Sequence, residues 1–178
     1  MGDEIIARAV DLLNAGKPII YPTDTLYAIG CDATNAEAVE QVYKLKQRPR
    51  DMPLSVLVSD FEMLQKYAEI SAKQMKVLKE KLPGPFTFIL KPKIKLPVSA
   101  GNIGFRMIYH KLANEIVKKF GKPITATSAN VHGQPTGATI TELKVIFKTY
   151  IDLYILGGRL EGKPSTVIDL TTNKILRD

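Results

Sequence analysis

The apolar positions of the chain switch between a helical period and short continuous runs, and the switches divide it into elements. Over residues 3–15, Ile5, Ile6, Ala9, Leu12 and Leu13 fall on one helical face, with Gly16 as a stop. "KPIIY" follows as a short buried strand. "TNAE" (34–37) reads as a capping box opening a helix through Val39, Val42 and Tyr43 to about Lys46. "PLSVLV" predicts a strand, and "SDFE" (59–62) a second capping box. Helices are expected at about 60–68 and 72–81, then the turn "PGP" and the strand "FTFILK". A strand "IGFRMI", a helix over 110–120, the strand "PITAT" and a helix opened by "TITE" (139–142) come next. The chain closes with "DLYIL", "STVIDL" and "KILRD", the last two joined by a hairpin-like "TTN". Helices and strands mixed throughout predict an α/β sandwich around a mixed sheet.

Composition narrows this picture. No repeat, low-complexity tract or linker interrupts the 178 residues, so one domain over 1–178 is expected. An apolar content of 45% with 24% charged residues excludes a disordered or fibrous chain. No run of about 18 apolar residues suggests a membrane span. The start "MGDEIIARAVDLLNAGK" is acidic and amphipathic, unlike a signal peptide. Cys31 is the sole cysteine, which excludes an internal disulfide and points to a reducing, cytoplasmic setting. The net charge of +7 favours an anionic partner such as a nucleotide or RNA.

Familiar catalytic signatures fail on inspection. "GGRLEGKP" (157–164) has the glycines and lysine of a phosphate-binding loop, but Pro164 stands where a hydroxyl should. A strand follows it where a helix N-terminus should hold the phosphate. It reads as a mobile, basic loop. His110 and His132 share no metal-ligand spacing with each other or with Cys31, which reads as a packed small residue. No nucleophile or general base stands out, so an enzyme of this sequence works by positioning and electrostatics.

Three clusters remain. "YPTDTLYAIG" (21–30) carries Thr23 and Thr25; alone, it is a hydroxyl-bonded turn. "KLKQRPR" (44–50) sets Lys44, Lys46, Arg48 and Arg50 at a helix end. Alone, these are cations on a helix C-terminus; the alternative is a cradle for a triphosphate. "KPITATSANVHGQPTG" (122–137) delivers Ser128 and Asn130 beyond a strand's carboxyl end, where ligands of α/β sheets commonly bind.

Taken in order, "YPTDTLYAIGCDA", "VYKLKQRP", "PLSVLV", "PGPFTFIL", "GFR", "ATSAN" and "STVID" resemble the YrdC-like domain of threonylcarbamoyl-AMP synthases. Each piece is weak; the ordered set is specific and covers nearly the whole chain. The resemblance implies a YrdC-like α/β sandwich around a twisted, mixed parallel/antiparallel sheet with an open, concave, basic surface. It implies an enzyme that joins L-threonine, bicarbonate and ATP, with Mg²⁺, into L-threonylcarbamoyl-AMP and pyrophosphate. A partner threonylcarbamoyl transferase complex would then modify adenosine 37 of tRNA. By position, Lys46 and Arg48 would hold the ATP phosphates, and Ser128 and Asn130 would line the nucleotide and phosphate site. Thr25, Arg106 and Ser165 match positions that contact the amino acid, and Asn102 matches a nucleotide contact. No metal ligand of the protein's own is implied.

The sequence departs from the family pattern at three places. Ala28 replaces the glycine of "YGLG", Met52 stands where Lys or Asn commonly precedes "PL", and "FRMIYH" lacks the usual Arg-x-Pro. The match also stops at the YrdC-like domain, so a short, single-domain form is expected. Two rivals follow from other classes. A non-catalytic module binding double-stranded RNA or tRNA suits the charge, but the 7% aromatic content offers few stacking platforms. Carbamoyl transfer in hydrogenase maturation uses similar domains, but within larger chains that carry zinc-binding cysteines.

Overall fold

The computed structural model describes residues 2–178. In chain order the elements are α1 (Gly2–Asn14), β1 (Ile19–Pro22), β2 (Tyr27–Gly30), α2 (Ala36–Lys46) and β3 (Val56–Leu57). They continue as α3 (Phe61–Tyr67), α4 (Ala72–Lys81), β4 (Phe86–Leu90), β5 (Ile103–Arg106) and α5 (Lys111–Phe120). The last are β6 (Ile124–Thr125), β7 (Thr127–Ser128), α6 (Ile140–Phe147), β8 (Thr166–Asp169) and β9 (Lys174–Arg177).

The strands form two sheets. One is antiparallel, in the order β1-β2-β7; the other is six-stranded, in the order β6-β3-β5-β4-β8-β9. In the larger sheet β3–β5 and β4–β8 run parallel and the other pairs antiparallel, which is the mixed sheet expected. The smaller sheet was not expected as a separate body. β2 went unforeseen because "YAIG" is buried on both faces, so it shows no apolar–polar alternation. Ile20, Tyr27 and Ile29 pack into one core with α2, α4 and α6, while Ile19, Tyr21 and Ala28 pack into a second with α1 and α5.

Helix starts follow the capping rule with a shift. Asn35, not Thr34, caps α2, accepting from the amides of Glu37 and Ala38. Asp60, not Ser59, caps α3 by accepting from Met63 N. Both winners are amide or carboxylate side chains, which reach an N2 or N3 amide from the cap position. α6 starts as expected, with Thr139 accepting from Glu142 N.

The expected strand "PITAT" divides. Ile124–Thr125 pairs with β3 in the large sheet, whereas Thr127–Ser128 pairs with β2 in the small one. Ala126 turns the corner, its amide donating to Ser55 O at 2.8 Å. Thr125 ties the two sheets together. Its hydroxyl donates to Ile29 O (2.9 Å) and accepts from Cys31 N (3.0 Å), and its carbonyl accepts from the Tyr21 hydroxyl (3.0 Å). Such a buried network is stable only when its members are satisfied. Cys31 is indeed a packed residue, its thiol pushed up to about 12 by burial. No described helix is long and apolar enough to cross a membrane.

Candidate functional site

The change of sheet at Ala126 leaves a cavity of about 430 Å³, walled by both sheets and by the 162–165 segment. Thr25, Arg48, Arg106, Ser128, Asn130 and Ser165 all line it, although they are scattered over 141 positions of sequence (165 less 25, plus one). Close approach at its floor depends on Gly104, where a Cβ would lie 2.8 Å from Ser55 Oγ and Thr87 Cγ2. Three hydrogen-bonded networks surround the space.

The first is built on the end of α2. The helix stops at Gln47 in the left-handed region (φ 48°), and the four cations of "KLKQRPR" part company. Lys44 and Arg50 turn outward to Glu40, and Arg50 also lies over the Tyr43 ring at 4.2 Å. Lys46 and Arg48 turn inward. Lys46 is 1% exposed, and its ammonium donates to Ser128 O (2.5 Å), Asn130 O (3.0 Å) and Asn130 Oδ1 (2.9 Å). Burial, with a smaller push from Arg48, pulls its pKa down to about 7. Ser128 Oγ donates to Asn130 Oδ1 at 2.7 Å, and Asn130 Nδ2 to Gln134 O at 2.7 Å. Lys46 is thus a post under the Ser128–Asn130 turn.

Arg48 is held along the next loop by Met52 O and Pro53 O, both 3.1 Å away. Met52 contributes its backbone here; its side chain is 40% exposed. Burial lowers the Arg48 pKa from its usual value.

The second network joins β1–β2 to β5. Thr23 Oγ1 donates to Leu26 O (2.6 Å) and accepts from the amides of Thr25 and Leu26, which fixes the turn. Arg106 Nη2 donates to Asp24 Oδ1 (2.9 Å) and Thr25 Oγ1 (3.4 Å). The residues after Arg106 are apolar and inward: Met107 and Ile108 are buried, and Gly84 N donates to Met107 O. That is how "FRMI" closes the strand end without the usual proline.

The third network is at the hairpin. Thr87 and Ser165 share a hydrogen bond of 2.7 Å, and Arg177 donates to Ser165 O (3.0 and 2.8 Å) and Oγ (3.3 Å). A register shift between Val167 and Ile168 sets Arg177 opposite Val167, against Ser165 and the cavity.

Of the expected residues, Lys46 and Asn102 do not line the cavity: Lys46 lies behind the Ser128–Asn130 turn, and Asn102 lies farther off. Asn102 sits on an exposed loop, its amide donating to Thr171 Oγ1 at 3.3 Å. Sequence reasoning missed Asp24, Thr87 and Arg177. Asp24 carried a signal, an acid between two threonines in an apolar stretch; Thr87 and Arg177 reach the site only through strand pairing. Ala28 lies opposite Ser128 and lines the cavity, so its methyl narrows that wall. His110 caps α5, Nδ1 accepting from Ala113 N, and burial lowers its pKa. The 157–164 segment is pinned: the Tyr27 hydroxyl donates to Gly158 O and accepts from Gly157 N.

A family model described as "Telomere recombination" (Sua5_yciO_yrdC) matches residues 11–178. The chain belongs to this family. Among solved structures it is similar to P. abyssi Sua5 complexed with L-threonine, at 32% identity and TM-score 0.89. That match covers 96% of this chain and 52% of the other, so the chain spans about half the length of Sua5. E. coli YciO matches over 100% of this chain and 90% of its own, at 30% identity and TM-score 0.90. T. kodakarensis HypF shares the fold at 21% identity and TM-score 0.82, over 97% of this chain and 23% of its own. Membership of the Sua5/YciO/YrdC family agrees with the resemblance drawn from the ordered motifs.

Proposed function

We propose that the protein condenses L-threonine, bicarbonate and ATP into L-threonylcarbamoyl-AMP and pyrophosphate, for transfer to tRNA by a threonylcarbamoyl transferase. One observation carries the reading. A single cavity gathers Arg48 with a Ser-x-Asn turn that Lys46 braces from behind, and a buried arginine with two hydroxyls. The first set suits a polyphosphate and the second an amino acid carboxylate. The L-threonine bound in the similar P. abyssi Sua5 structure supports the amino acid half.

In the reaction the threonine amine attacks the carbon of bicarbonate with loss of water, or that of CO₂ with release of a proton to solvent, giving a carbamate. A carbamate oxygen then attacks the α-phosphorus of ATP, and pyrophosphate leaves. Arg48 faces the phosphates with its fork, while Lys46 supplies charge through the turn it braces. Donors already fixed in place need no reorganisation as charge builds on the leaving group. Thr25, Arg106 and Ser165 hold the amino acid. Among the described residues no group of three His, Cys, Asp or Glu is placed to hold a metal, and no carboxylate lines this cavity. In this reading Mg²⁺ enters as part of the MgATP substrate.

The test is formation of an AMP adduct and pyrophosphate, with L-threonine and bicarbonate each present or omitted. Product that requires both is expected. Absence of product with all three substrates rules out the synthase reading; product without threonine overturns the amino acid assignment.

A further inference from the structure

Residues 156–165, which contain the glycine-rich segment, belong to no helix or strand, yet they are fastened along their length. At the start, the Tyr27 hydroxyl accepts from Gly157 N (2.9 Å) and donates to Gly158 O (2.8 Å). In the middle, Leu160 N donates to Ala138 O at 2.9 Å, and the Leu160 side chain packs on the core. At the end, Arg177 donates to Ser165 O. Two glycines let the backbone lie flat on the β1–β2 hairpin. A Cβ at Gly157 would collide with Pro22, and one at Gly162 with the Thr25 carbonyl. The segment is a strap across the hairpin.

The strap is also a partition. Gly162 and Pro164 line both the main cavity and a neighbouring one of about 440 Å³, with Ser165 on the main side and Lys163 on the other. Its outer surface is in water, since Gly158, Arg159 and residues 161–164 are exposed. A strap that lifts would join the two cavities and give water a second way to the reacting groups. Tyr27 is placed to prevent this. It is fully buried on β2 with its ring in the core, a packing role that a phenylalanine would fill equally. The hydroxyl is what a phenylalanine lacks, and its donor and acceptor bonds both go to the strap.

We propose that Tyr27 is a positioning residue that pins this strap and keeps water from the cavity while the reaction runs. The inference rests on the synthase reading above and adds to it the control of a side reaction. Threonylcarbamoyl-AMP is a mixed anhydride of a carbamic acid and a phosphate. Water adds to its carbamoyl carbon, the bond to the phosphate oxygen breaks, and AMP leaves. The freed carbamate takes up a proton and splits into threonine and CO₂. The net reaction is then ATP and water to AMP and pyrophosphate, with no adduct to hand on. A pinned strap favours the adduct over this loss.

The experiment has two readouts on the full chain. Trypsin cleavage of the native protein after Arg159, whose side chain is 60% exposed, reports how often the strap lifts when followed by mass spectrometry. AMP formed per threonylcarbamoyl-AMP, extrapolated to zero time so that breakdown in solution drops out, reports water at the reacting groups. Tyr27→Phe is expected to raise the cleavage rate at least about fivefold and the AMP ratio at least about threefold. Gly157→Ala, which keeps the hydroxyl but drives the strap off Pro22, should do the same. Unchanged cleavage in Tyr27→Phe overturns the pin. AMP and adduct that fall in proportion, at an unchanged ratio, overturn the shielding, because the variant has then only lost active protein. A raised ratio in Tyr27→Phe with a wild-type ratio in Gly157→Ala also overturns it. Tyr27, which borders the main cavity, would then act on the substrate directly. Wild-type protein that makes no adduct defeats the parent reading, and cleavage alone still decides whether Tyr27 holds the strap. Should Tyr27→Phe unfold, Gly157→Ala carries both readouts, and wild-type values there refute the proposal.

Discussion

The two ends of the cavity solve opposite problems. At the Lys46 end, the ammonium meets three oxygens, Ser128 is bonded to Asn130, and Asn130 to Gln134. Every group there has a partner before any ligand arrives. At the Arg106 end, two buried charged atoms have none among the described residues. A satisfied cluster is stiff and costs little to reorganise, which suits a role in stabilising charge that appears only during reaction. An unsatisfied cluster has interaction energy still to be released, which suits ground-state recognition. Under the proposed reaction, the Lys46 end would serve rate and the Arg106 end affinity.

The sharpest way to break this contrast is at α2. Lys46→Ala and Arg48→Ala should each lower product formation by about 2–4 kcal/mol of transition-state stabilisation, as for a lost preorganised donor. Lys46→Ala should also lower the melting temperature, because Ser128 O, Asn130 O and Asn130 Oδ1 lose a buried donor. Arg48→Ala, whose partners are exposed loop carbonyls, should leave it nearly unchanged. Wild-type rates in both variants return the cations to a helix-end role.

Next in size is Arg106→Lys, which keeps the charge but loses the fork. The KM for threonine should rise at least tenfold, about 1.4 kcal/mol, with the KM for ATP little moved. A fall in ATP affinity instead would merge the two ends into one.

A smaller effect is the proton held at Lys46. With a pKa near 7 the ammonium is mostly deprotonated at pH 8, and a bound triphosphate favours the charged form. Nucleotide binding at pH 8 should therefore take up a proton, approaching one per site, seen by calorimetry in buffers of different ionisation enthalpy. The sign for stability is the reverse of a salt bridge. The folded pKa lies below the ordinary 10.5, so folding releases a proton between about pH 7 and 10.5 and stability rises across that window. No proton uptake at pH 8 would mean that Lys46 does not sense the phosphates.

Smallest of all, His110→Ala and His132→Ala should leave kcat within about threefold, since neither has a plausible acid–base partner. His110→Ala should instead cost about 1 kcal/mol of stability through the lost α5 cap, read by chemical denaturation. A hundredfold loss of kcat in either variant would reveal a proton-transfer residue.

The sequence alone determined what is local. Helical periodicity and caps place α1, α5 and α6, and the chain order of "YPTDT", "KLKQRP", "GFR", "TSAN" and "STVID" identifies the family. Those motifs also named six of the residues that line the cavity. They persist in sequence because a cap, a turn or a fork depends on neighbours within a few positions. Only the tertiary structure decided which of four similar cations face inward, since Glu40 claims Lys44 and Arg50 from the outer side of α2. It alone split "PITAT" between two sheets, because strand partners β2 and β3 lie 67 or more positions upstream (124 less 57). It alone brought Arg177 onto Ser165, through a register shift that no spacing rule contains. Pairing across a sheet is set by long-range packing, and that is why Thr87 and Arg177 became visible only in the fold.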